Sequence, residues 1–213
     1  VNSGFDRMGF IVTPCQITAA AQMKTNPTHA ENFIDPVAFS LGLFCTWAID
    51  TRKFLSFIKA RFDNETIRKM KIPPPPAAVF ILETDSGKIE IPLEEIRPMV
   101  PVGCTICPDM TAEWADVSVG AMEGFDNRNT LIVRSKKGEE LVRDAVKAGY
   151  LVLEDFPEQS LQHLQHAAAG KKKRAFEKAG QLDLVNTGQG RRSALRVNNK
   201  TLEKMISEQE AVK

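Results

Sequence analysis

Four cysteines, Cys15, Cys45, Cys104 and Cys107, constrain this chain more than any other residue type. Four thiolates are the ligand set of a tetrahedral zinc site or of one [4Fe–4S] cluster. Cys104-Thr105-Ile106-Cys107 makes a compact two-sulfur clip, whereas Cys15 and Cys45 must be delivered by the fold. Cys15 follows Thr13-Pro14 at a predicted helix start, where unpaired backbone N–H groups favour a thiolate. Cys104 follows Gly103 and Cys107 precedes Pro108, so the clip sits in a tight loop whose N–H groups can face sulfur. The same residues also suit a thioredoxin-like pair, two disulfides or unconnected buried thiols. Spacing alone leaves these open, and it does not separate zinc from iron–sulfur.

Composition removes other classes. Lys plus Arg is 28 and Asp plus Glu is 27, a formal net charge of +1, so the chain lacks the basic footprint of a nucleic-acid binder. No stretch approaches the roughly 20 apolar residues of a membrane span, and no signal peptide is visible. A cytoplasmic chain, with neither nucleic acid nor a membrane span, is expected. No Ser/His/Asp or Cys/His arrangement and no Gly-rich phosphate loop is legible, so no catalytic side chain is assigned. His163 and His166 lie in a Gln-rich stretch and read as solvated, and His29 lies in a loop. The chain opens on Val1 rather than Met, which fits processing, and equally an incomplete or separately processed chain.

Hydrophobic patterning predicts a mixed α/β fold with two lobes meeting at a cysteine-ligated cluster. Phe10 to Val12 is a short strand, Thr13-Pro14 opens a helix over 14–24, and Val37 to Cys45 is a buried strand. Asp50 begins a helix whose Phe54, Phe57, Ile58 and Phe62 form a core stripe. Pro73 to Pro76 reads as a stiff linker. Ala78–Thr84 and Lys88–Pro92, joined at Asp85-Ser86-Gly87, form a hairpin. Strands at 115–120 and 130–134, a helix at 136–148 and a strand at 150–153 suggest a small α/β unit. A long helix covers about 159–180 and ends in Lys171 to Arg174, read as a solvated end or a partner contact. The expected division is an N-terminal lobe over 1–72, a hairpin and α/β unit over 73–180, and a polar tail over 181–213.

Several motifs fall in one order. Thr13-Pro14-Cys15-Gln16-Ile17 comes first, then Leu43-Phe44-Cys45, then Cys104-Thr105-Ile106-Cys107-Pro108-Asp109-Met110-Thr111. Ala115-Asp116-Val117-Ser118-Val119-Gly120, Asn129 to Ser135 and Lys137-Gly138-Glu139-Glu140-Leu141 follow. Across roughly residues 9–155 this series closely resembles the coenzyme F420 hydrogenase/dehydrogenase beta subunit family. The resemblance implies an oxidoreductase subunit with one FAD and at least one [4Fe–4S] cluster, exchanging hydride with coenzyme F420, a deazaflavin of methanogens. Its implied partners are the iron–sulfur and catalytic subunits of a hydrogenase, formate dehydrogenase or heterodisulfide-reductase-type complex.

Carried onto this chain, the resemblance makes Cys15, Cys45, Cys104 and Cys107 the cluster ligands. Flavin contacts are expected from Arg134, whose fork suits a pyrophosphate, from Asn129 and Thr130, from Gly120 through close backbone approach, and from Thr13 at a helix start. Asp109 and Asp116 are expected to brace the cysteine loop. Two departures stand out. Family members carry a Gly-rich portion before the first cysteine turn, which here begins at residue 13, so an incomplete or split flavin site is expected. Phe125-Asp126-Asn127-Arg128 stands where relatives often have a glycine–tryptophan pair. Rival readings are an electron-relay or assembly subunit without flavin, and a zinc-stapled interaction domain.

Overall fold

The computed structural model describes residues 7–25, 35–73, 77–125, 127–186, 188 and 195–207. His29, Pro74 to Pro76 and Asp126, singled out above, lie outside them. The elements are β1 (Met8–Val12), α1 (Pro14–Thr25), β2 (Val37–Leu43), α2 (Thr51–Phe62), β3 (Ile67–Lys71), β4 (Val79–Thr84), β5 (Gly87–Pro92) and α3 (Leu93–Ile96). They continue as α4 (Val102–Thr105), β6 (Val117–Ala121), β7 (Asn129–Val133), α5 (Lys136–Lys147), α6 (Glu158–Gln181), β8 (Val185–Asn186), β9 (Leu195–Arg196) and α7 (Asn199–Ser207). The fold is mixed α/β, as the patterning predicts.

The chain divides into two compact units, Val1–Thr46 with Ile106–Lys213, and Trp47–Thr105. The sequence reading divides it at 72/73 and 180/181 instead. The difference has a packing reason. The Phe stripe of α2 and the β4–β5 hairpin, on either side of the prolines, share one core of Phe80, Leu82, Ile91, Ile96 and Met99, joined by Phe54, Phe57 and Phe62. Phe54 meets Phe80 edge-on with ring centroids 5.6 Å apart. Asp50 starts α2 by accepting the Arg52 and Lys53 N–H groups at 3.0 and 3.1 Å. β3 completes an antiparallel β3–β4–β5 sheet. The sequence reading missed β3, because Ile67-Arg68-Lys69-Met70-Lys71 is a largely exposed, charged edge strand with almost no apolar signal.

The first unit is built on a four-stranded sheet of order β1–β2–β6–β7. β1, β2 and β6 are parallel, and β7 runs antiparallel to β6. Val12 and Ile17 pack with Ala112 and Ala115, fastening α1 to the loop that precedes β6. A Cβ on Gly42 would come within 2.2 Å of Ala112 Cβ, so this packing requires glycine in β2. At the start of β6, the Asp116 carboxylate accepts the Ser40 amide and hydroxyl, each at 2.9 Å, and the Ser135 hydroxyl at 2.6 Å. Ser135 also caps α5 through the Gly138 N–H. One carboxylate thus joins β2, β6 and α5.

The expected strand at 150–153 is not formed. Gly149, at φ +77, follows the end of α5, and Tyr150 and Val152 lie 84% and 86% exposed outside any regular element. The polar stretch after 180 carries the β8–β9 pair and α7, which contacts α6. Among the described residues no helix is long and apolar enough to cross a membrane.

Candidate functional site

Parallel strands put their C-terminal ends on one edge of a sheet, where open α/β folds place ligands. Val12 pairs with Gly42 and Leu43 with Val119, so Thr13, Cys15, Phe44, Cys45 and Gly120 emerge together at that edge. β7 begins there, with Thr130 opposite Gly120 and Asn129 opposite Ala121. The register therefore gathers Thr13, Gly120, Asn129 and Thr130 with two of the four cysteines.

The loop carrying Cys107 is stitched to the same edge. The Cys45 N–H donates to the Met110 carbonyl at 2.9 Å. Lys171, on α6 and only 5% exposed, donates through Nζ to the carbonyls of Cys45 (2.7 Å) and Asp109 (2.6 Å) and lies 3.8 Å from Cys107 Sγ. The buried Asp109 carboxylate turns the loop by accepting the Thr111 and Glu113 N–H groups at 3.0 and 2.9 Å. Burial pushes its pKa up, and the nearby Glu113 charge adds to this. Asp109 braces the segment after Cys107, whereas Asp116 bonds Ser40 and Ser135 and, among the described residues, makes no hydrogen bond to the cysteine loop.

Cys15, in the first turn of α1, is exposed, and its Sγ lies 3.3 Å from Thr13 Oγ1. Thr13 is engaged with Gln16, both its N–H and its hydroxyl donating to Oε1 at 3.0 Å. Cys104 belongs to the other unit, on α4, and accepts the Ala48 N–H at 3.5 Å. None of the four cysteines is in a disulfide. Among the described residues no three of His, Cys, Asp and Glu gather as a metal-holding group. The expected cysteine cluster is therefore not preassembled in these residues. The donor chemistry does suit a [4Fe–4S] cluster: four thiols on loops and helix starts, with N–H groups at Cys104 and Cys107 Sγ.

The flavin candidates fare differently. The space over Gly120 is taken by the Phe44 ring. Thr130 is buried and lines a cleft of about 40 Å³ with Phe44, Met110, Met122, His163 and Leu164. Ligand pockets run to roughly 300–1,000 Å³, so this cleft does not cradle a flavin. Arg134 lies at the far end of β7. Its guanidinium donates to Ser118 Oγ (3.2 Å) and to the Thr111 carbonyl (3.2 Å) and hydroxyl (2.8 Å), bracing the loop from within. Asn129 is exposed at the C-terminal edge.

Residues 5–159 match the family described as the C terminus of the coenzyme F420 hydrogenase/dehydrogenase beta subunit. The chain belongs to this family. An uncharacterised Methanocaldococcus jannaschii protein is 31% identical over 164 residues, 71% of this chain and 56% of that protein. The coenzyme F420 hydrogenase subunit beta of Methanothermobacter thermautotrophicus is 28% identical over 176 residues, 81% of this chain and 62% of the subunit. The chain thus spans under two thirds of these relatives. A solved chain of the F420-reducing [NiFe] hydrogenase complex from Methanosarcina barkeri superposes with a TM-score of 0.71 at 24% identity, covering 83% of this chain and 61% of that one. That likeness is one of fold.

Within this F420 beta-subunit framework, sequence reasoning missed two residues. Lys171 reads as part of a solvated basic run, yet helical spacing puts it in line with the buried Ala175 and Ala179. That periodicity was the available signal. Phe44 looks like one more apolar strand residue, and only the β2–β6 pairing sets its ring over Gly120.

Proposed function

We propose that this chain is an electron-transfer subunit of a coenzyme F420-linked oxidoreductase complex, with Cys15, Cys45, Cys104 and Cys107 ligating a [4Fe–4S] cluster. The observation that carries the reading is the family match over residues 5–159, which contains all four cysteines. The relatives' names point the same way, being those of F420 hydrogenase beta subunits. Iron–sulfur and catalytic subunits of a hydrogenase, formate dehydrogenase or heterodisulfide-reductase-type complex are the proposed partners.

A flavin, taken as FAD, would interconvert hydride and single-electron transfer between the deazaflavin and the cluster. Thr13, Gly120, Asn129, Thr130 and Arg134 remain its proposed neighbours. The cleft at Thr130 is small and Arg134 turns inward to Ser118 and Thr111, so flavin binding by these residues is what the flavin content of the isolated protein tests. The chain's own contribution is to hold Cys45 and Cys107 on hydrogen-bonded loops at the sheet edge and to place N–H donors at the Sγ atoms of Cys104 and Cys107.

The test is metal, sulfide and flavin analysis of anaerobically isolated protein. Four irons and four sulfides per chain, with reduction of the cluster by reduced coenzyme F420 when flavin is present, support the proposal. Iron without flavin reduces the chain to a relay subunit. Zinc without sulfide overturns the redox reading.

A further inference from the structure

We infer that Lys171 is the buried counter-charge of the sulfur site, fixing the Cys45 and Cys107 loops and raising the reduction potential of a cluster bound there. This rests on the cluster reading above. Lysine is almost never fully buried without a partner, yet Lys171 is 5% exposed. Its Nζ has three acceptors in reach for the three hydrogens of an ammonium: the Cys45 carbonyl at 2.7 Å, the Asp109 carbonyl at 2.6 Å and Cys107 Sγ at 3.8 Å. Two of these are neutral. None of the ion pairs among the described residues involves Lys171. Nearby acids are engaged elsewhere: the Asp109 carboxylate by the Thr111 and Glu113 amides, and Glu113 by Lys172 at 2.7 Å.

A buried ammonium facing only neutral groups is costly, and the group left to balance it is sulfur. A neutral thiol does not supply that charge, whereas a metal-bound cysteinate does. The same contact acts in the other direction. Positive charge and an N–H donor beside a ligating sulfur favour the reduced, more negative state of an iron–sulfur centre. Lys171 is therefore a positioning and tuning residue, and its clamp on two carbonyls holds the Cys45 and Cys107 loops in register.

The test compares the anaerobically isolated parent protein, in the complex in which it occurs, with Lys171→Gln and Lys171→Arg, by iron content and an EPR-monitored redox titration. The expected result is a more negative midpoint in Lys171→Gln, with Lys171→Arg closer to the parent. An unchanged midpoint in a folded, iron-loaded Gln variant overturns the inference while leaving the cluster reading intact. Absence of iron from the parent overturns the cluster reading itself, and the inference with it. Should the Gln variant not fold, amine acylation of the parent decides. Read by mass spectrometry, Lys171 is expected to stay unmodified until iron is stripped, while neighbouring Lys172 reacts in both states. Equal reactivity of Lys171 before and after stripping overturns the inference.

Discussion

The Phe44 ring fills the space over Gly120: a Cβ built on Gly120 would stand 2.0 Å from Cδ2 and 2.5 Å from Cβ of Phe44. Because the clash reaches the root of the side chain, rotating the ring cannot relieve it. Gly120→Ala is therefore expected to destabilise the first unit by about 1–3 kcal/mol, the usual cost of overpacking. The double variant Phe44→Ala/Gly120→Ala should recover part of that loss in urea melts. Strict additivity of the two substitutions would show that the residues do not share this space.

Asp116 gives the chain a specific acid sensitivity. Burial alone would raise its pKa, but the Ser135 hydroxyl, the Ser40 amide and hydroxyl and the Lys137 charge together hold it below the ordinary 3.8. A depressed folded pKa means that the carboxylate's contribution is fully present above the unfolded value. That contribution is lost as pH falls through the folded one. Between neutral pH and pH 3 the parent should lose more stability than Asp116→Asn, measured by denaturant unfolding. Parallel pH profiles for the two would remove Asp116 from this role.

Arg134 supports the loop through Ser118 and both the carbonyl and the hydroxyl of Thr111. Hydrogen bonds to charged groups contribute about 1.5–3 kcal/mol. Arg134→Ala should lower stability by that order, and Arg134→Lys should recover only part, since a point ammonium cannot reproduce the fork. If Arg134→Ala unfolds like the parent but loses flavin, the residue acts on the cofactor and not on the loop.

What the sequence made legible follows local chemistry. The α2 stripe, the Asp85-Ser86-Gly87 hairpin and the Thr13-Pro14 turn each carry their signal within a few residues, and each formed. Tyr150 to Leu153 is apolar enough for a strand, but no local pattern says whether a neighbouring strand exists to pair with it. β3 fails in the opposite way: its Arg68–Asp85 and Lys71–Glu83 ion pairs are the mark of an edge strand that exists only because β4 lies beside it. The candidate site shows the same limit. The cysteines are visible as residue types, whereas the Lys171 clamp joins α6 to the Cys45 and Cys107 loops, contacts that only the folded chain creates.

Cys104 separates the role of the thiol from that of the fold. Among the described residues its Sγ accepts only the Ala48 N–H at 3.5 Å, a single neutral contact to a part-buried thiol, and the side chain lies outside the core of its unit. Cys104→Ala should therefore leave the melting of iron-free protein nearly unchanged. Leu82→Ala, at a fully buried position of the same unit, should cost about 2–5 kcal/mol. The order reverses for metal. Cys104→Ala is expected to lose most of its iron and acid-labile sulfide, because one of the four proposed thiolate ligands is gone, and with them the added stability that metal binding confers. Leu82→Ala should retain iron in whatever fraction remains folded. Full iron and sulfide in folded Cys104→Ala protein would sink the assignment of Cys104 as a ligand and leave the cluster to other donors.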